Sequence, residues 1–119
     1  MAISVGARLV ETCESFCEEL RRDVGLTLFR LELERRPSPL VVTLRTHAPP
    51  RVDPSGGPAV PDDPASLERP LVADERVVGR LRIEDERRRD YPAEASETVE
   101  RIIPSYARRL AELVERAQL

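Results

Sequence analysis

Lysine and tryptophan are absent from this 119-residue chain, and aromatic side chains make up only 3% of it. Without lysine there is no side-chain amine for Schiff-base chemistry. All 19 basic residues are arginine, a uniformity that reflects coding composition more simply than recognition chemistry. Phe16, Phe29, Tyr91 and Tyr106 are too few and too scattered to build the stacking platforms on which nucleic-acid modules hold bases. An excess of one charge is lacking too: 22 acidic residues are interleaved with the basic ones for a net charge of -3, which solubilises a surface but builds no field for phosphates. No apolar run approaches the roughly 18 residues that cross a bilayer, and the first residues lack the charged start and apolar centre of a secretory leader. The expected location is the cytoplasm, with neither membrane nor nucleic acid as a partner and with Cys13 and Cys17 reduced.

Chemistry-bearing residues are equally sparse. His47 is the only histidine, and no nucleophile motif accompanies it. Cys13 and Cys17 lie one helical turn apart on an apolar stripe. They fall short of a tetrahedral zinc set, have poor geometry for a mutual disulfide, and read as buried structural thiols. Asp53, Asp62, Asp63 and Glu68 lack the regular alternation of a calcium loop, and Gly56-Gly57 lacks the flanking pattern of a phosphate cradle. In Glu84-Asp85-Glu86-Arg87-Arg88-Arg89-Asp90 the three arginines are flanked by four acids that largely cancel their attraction for phosphate. The expectation is a protein with no catalytic residue, no metal and no cofactor.

What the chain does have is patterning. From Ile3 to Val24 the residues Leu9, Val10, Cys13, Phe16, Cys17, Leu20 and Val24 recur at spacings of three and four, an amphipathic helix that Gly25 should close. The period then becomes two: Phe29, Leu31 and Leu33 alternate with Arg30, Glu32 and Glu34, a strand with one wet face. Pro37-Ser38-Pro39 makes a turn, and Leu40 to Thr46 reads as the returning strand. Residues 48–66 hold six prolines and read as an exposed loop contributing little to the core. Leu67 to Ala73 and Val77 to Ile83 form a second hairpin about Asp74-Glu75-Arg76, with Gly79 marking a bulge or a close backbone approach. A last helix starts near Pro92 and runs to the end, bent between Glu100 and Pro104. The expected fold is α+β, a single domain over residues 1–119. Its antiparallel sheet of about four strands is flanked by N- and C-terminal helices.

The stretch Pro70-Leu71-Val72-Ala73, a polar turn, Val77-Val78-Gly79-Arg80-Leu81-Arg82-Ile83, a charged connection and a long closing helix resembles the C-terminal half of a GAF domain. The opening helix and first hairpin occupy matching places, so the resemblance covers residues 3–47 and 67–119. A similar hairpin before a helix also occurs in PAS and roadblock modules. The resemblance implies a GAF/PAS-like regulatory module in signalling, acting by dimerisation or protein–protein interaction. The segment between the hairpins departs from the family, and no ligand-binding residue carries over to this chain. An alternative is a small-molecule sensor with a pocket between the sheet and the 48–66 segment.

Both terminal helices carry apolar stripes wider than one seam. That width predicts a homodimer through a four-helix arrangement, with Val10, Cys13, Cys17, Leu20, Ile103, Tyr106, Leu110, Leu113, Val114 and Ala117 at the interface.

Overall fold

Leu9, Cys13, Phe16 and Leu20 all lie on one side of helix α1 (Val5–Asp23) and are fully buried, as their spacing requires. The computed structural model describes residues 5–54, 56 and 66–116. After α1 come β1 (Leu28–Leu33), β2 (Leu40–Arg45), β3 (Arg51–Asp53), β4 (Ser66–Ala73), β5 (Arg76–Glu84), α2 (Ala93–Ile102) and α3 (Pro104–Arg116). The strands form one antiparallel sheet in the order β3-β2-β1-β5-β4. The architecture is α+β, with the first strand at the centre, β2 and β3 on one side of it and β5 and β4 on the other.

Register decides which side chains meet the helices. Phe29 is opposite Leu44 and Ile83, and Leu31 is opposite Val42 and Leu81, so these rows share a face. Phe16 of α1 meets Phe29 edge-on at 5.5 Å between ring centroids and stacks on Tyr106 of α3 at 4.6 Å. One ring therefore joins the sheet to both terminal helices. Residues Leu28, Arg30, Glu32, Val41, Thr43, Arg45, Arg80, Arg82 and Glu84 alternate onto the opposite face, which carries no helix among the described residues. Each inward leucine stabilises the fold by roughly 1.5–3 kcal/mol relative to exposure, and this one cluster draws on every element of the chain.

Local chemistry sets the ends of the elements. Gly25 has φ 93°, the left-handed conformation that closes a helix, and its amide donates to the Leu20 carbonyl at 3.0 Å. Asp74 and Glu75 both have positive φ, 52° and 64°, so the second hairpin turns tightly between Ala73 and Arg76. Gly79 sits against β1, where an added Cβ would run into the Glu32 carbonyl oxygen. The pairing irregularity lies beside it: Leu71 is opposite Gly79 and Val72 opposite Val77, so Val78 of β5 is the extra residue.

One expectation needs correction. The sheet has five strands, because part of the proposed loop at 48–66 is β3, with Arg51, Val52 and Asp53 opposite Thr43, Val42 and Val41. Val52 packs on the core, so this part of the segment is structural. Three residues between prolines are too short to show a period, which is why the pattern missed them. Residues 57–65 of that segment lie outside the described ones. The closing helix is interrupted within the expected stretch: α2 ends at Ile102, and Pro104, which has no amide hydrogen, opens α3. Ile103 bridges the break, donating to the Val99 carbonyl and accepting from the Tyr106 and Ala107 amides.

Candidate ligand-binding cleft on the helix-free face

Val41 and Leu28 point away from the helices, yet they are only 1% and 9% exposed. The described residues just beyond β3, Pro54 and Gly56, are held by arginines. There Arg35 donates to the Pro54 carbonyl at 3.0 Å, Arg30 reaches the Gly56 carbonyl at 3.5 Å, and Gly56 lies beside the Pro39 ring. A cleft of about 320 Å³ opens on this face, lined by Leu28, Arg30, Val41, Thr43, Arg45, Ala48, Pro49, Arg51, Asp53 and Glu84. Its volume lies at the lower end of small-molecule sites.

Strand pairing places the charges. Arg30, Thr43 and Arg51 form one cross-strand row, and Arg45, Leu28 and Glu84 form the next. Arg51 pairs with Asp53 at 3.1 Å, Arg30 with Glu32 at 3.6 Å, and buried Arg82 lies between Glu84 at 3.5 Å and Glu68 at 3.8 Å. Around the end of the sheet a second cavity of about 590 Å³ adjoins the first through Leu28 and Arg45. It is lined also by Arg21, Leu26, Thr27, Thr46, His47, Glu86 and Arg87. His47 is exposed with φ 64°, and Thr46 hydrogen-bonds back to Thr27. The cleft thus offers aliphatic walls and guanidinium groups, the means of holding an amphiphilic ligand.

The residues proposed for a dimer interface lie elsewhere. Cys13, Cys17, Leu20, Ile103, Leu110, Leu113 and Val114 are buried within one chain, where α1 and α3 pack on each other and on the sheet. Val10 and Tyr106 are half-buried, and the Tyr106 hydroxyl contacts Glu19 at 3.2 Å. Ala117 lies outside the described residues. Burial pushes the Cys13 thiol up to about 12 and the Cys17 thiol up to about 11, so both stay protonated near neutral pH. Among the described residues, no group of three or more His, Cys, Asp or Glu side chains is placed to hold a metal ion.

Sequence reading named a pocket between the sheet and the 48–66 segment only as an alternative and gave it no lining residues, because Arg30 and Glu32 look like an ordinary wet face. The available signal was apolar: Val41 and Leu28 occupy the positions that alternation assigns to that face. No family model, curated protein or solved structure matches the chain.

Proposed function

We propose that this chain is a non-enzymatic, GAF-like regulatory module that takes a small molecule into the cleft on its helix-free face. One observation carries the reading: Leu28 and Val41 floor a cavity bordered by Arg30, Arg45 and Arg51, on the face that the helices leave open. Terminal helices on one side and a lined cavity on the other suit a sensor. Thermal-shift screening against small anions and nucleotides tests this. The expected result is a saturable rise in melting temperature that Thr43→Phe removes, because that side chain fills the cleft from a position facing away from the core. Absence of any stabilisation, or stabilisation that Thr43→Phe leaves intact, counts against the reading.

A second reading, self-association through the helix layer, draws on a smaller feature. Half-buried Val10 lies with Gly6, Ala7, Leu9 and Val52 in a depression bordered by Glu11 and Glu14 where α1 meets β3. Light scattering should then give a dimer mass that Val10→Glu reduces to that of a monomer. A native monomer at high micromolar concentration opposes it.

A further inference from the structure

We infer that the ligand of this cleft is a small amphiphilic oxyanion, an aliphatic or aromatic body ending in one carboxylate or phosphate, with Arg45 as its primary anchor. The inference rests on the cleft being the binding site and adds the chemistry of what it holds. Five arginines, at positions 21, 30, 45, 51 and 87, line the two adjoining cavities against three acids, Asp53, Glu84 and Glu86, in a chain whose net charge is -3. The local balance is opposite in sign to the whole.

Internal pairing then separates the arginines. Arg21 is bridged to Glu18, Arg30 to Glu32, Arg51 to Asp53 and Arg87 to Asp85. Asp53 and Glu84, the two acids of the smaller cavity, are held by Arg51 and Arg82. Arg45 alone among these five has no carboxylate within ion-pair distance among the described residues. It stands at the seam shared by both cavities, directly across from Leu28. A guanidinium there presents a planar fork of donors that an oxyanion can meet with two parallel hydrogen bonds. The other charged groups of the smaller cavity are paired, and Leu28, Val41, Ala48 and Pro49 offer apolar wall, so the body of the ligand is apolar. The volume of about 320 Å³ limits that body to a small molecule rather than a polymer.

The test is a set of NMR titrations of the full chain with hexanoate, hexyl phosphate and neutral hexanamide, followed through backbone amides of Leu28, Val41, Thr43 and Arg45. The expected result is that at least one of the two anions binds about tenfold or more tightly than hexanamide, and that Arg45→Gln abolishes this preference. Arg45 is exposed at a strand end, so the variant retains the native spectrum elsewhere. Which anion binds distinguishes a carboxylate from a phosphate source. Equal binding of anion and amide overturns the oxyanion assignment while leaving the cleft as a binding site. An anion preference that survives Arg45→Gln overturns the anchor. Failure of all three probes to shift the cleft amides overturns the cleft reading and this inference with it.

Discussion

Asp85 shows how much a single carboxylate can organise. It is 1% exposed and accepts from Arg87 at 2.9 Å and Arg88 at 3.4 Å, while Arg88 also donates to the Val24 carbonyl at 2.8 Å and lies over the Tyr91 ring. The Tyr91 hydroxyl donates to the Gly25 carbonyl, so this group ties the connection after β5 to the end of α1. Hydrogen bonds from Arg87 outweigh the opposing effect of burial and hold the Asp85 carboxyl down from 3.8 to about 2. A group whose pKa is lower in the folded state contributes stability above its unfolded value and loses it as pH falls through the folded one. Urea midpoints measured between about pH 5 and pH 2 should therefore fall more steeply for the native chain than for Asp85→Asn, which is already weaker at neutral pH. Parallel curves would remove Asp85 from this role. The alternating charges of residues 84–90 were legible, but which acid takes which arginine is decided by the turn geometry. Gly79 was more fully legible, because a glycine inside an apolar strand reads as a close approach. Gly79→Ala should destabilise by about 2 kcal/mol or more in urea unfolding, since the Glu32 carbonyl cannot move aside without disturbing the central strand. A neutral substitution would show that β1 can shift.

Among the elements, the second hairpin has a turn that its residues do not favour. Asp74 and Glu75 occupy the left-handed region, where a glutamate costs roughly 1–2 kcal/mol and Asn-Gly is at ease. Replacing the pair, Asp74→Asn with Glu75→Gly, should raise stability by about 1 kcal/mol, read from the urea midpoint; a decrease would mean that the acidic pair makes a contact that matters more. Elements with a sustained period were legible: α1 from its spacing, β1 from strict alternation, and the interruption near Pro104 from proline chemistry. β3 was not, because three residues carry no period and its existence depends on pairing with β2. Nor was the join between α2 and β4. Arg69 lies on the inward face of β4, among leucines, and pairs with Glu100 of α2 at 3.1 Å, an ion pair between residues far apart in sequence. Strand alternation alone places an arginine on a face without naming its partner.

For the whole molecule, the two faces of one sheet differ in what packs against them. The helix-covered face holds the fold: the apolar stripes of α1 and α3 meet Phe29, Leu31, Leu81 and Ile83, and Phe16 joins the two helices to the sheet. The helix-free face, with its floor of Leu28 and Val41 and its arginine border, is the one assigned to binding. The excess apolar width of the helices, which from sequence alone suggests a partner, is taken up within one chain by a fifth strand and by the packing of α1 on α3. Neither is visible before the strands are placed. Comparing a charge on each face tests this division most directly, with Leu113→Glu and Arg45→Glu followed by urea unfolding and light scattering. Leu113 is 6% exposed beneath α3, and the account predicts that burying a carboxylate there costs several kcal/mol and abolishes cooperative unfolding, whereas Arg45→Glu changes stability by no more than about 0.5 kcal/mol. A Leu113→Glu chain that stays folded and cooperative, with a mass half that of the native protein, would contradict it by placing the α3 stripe at an interface between chains.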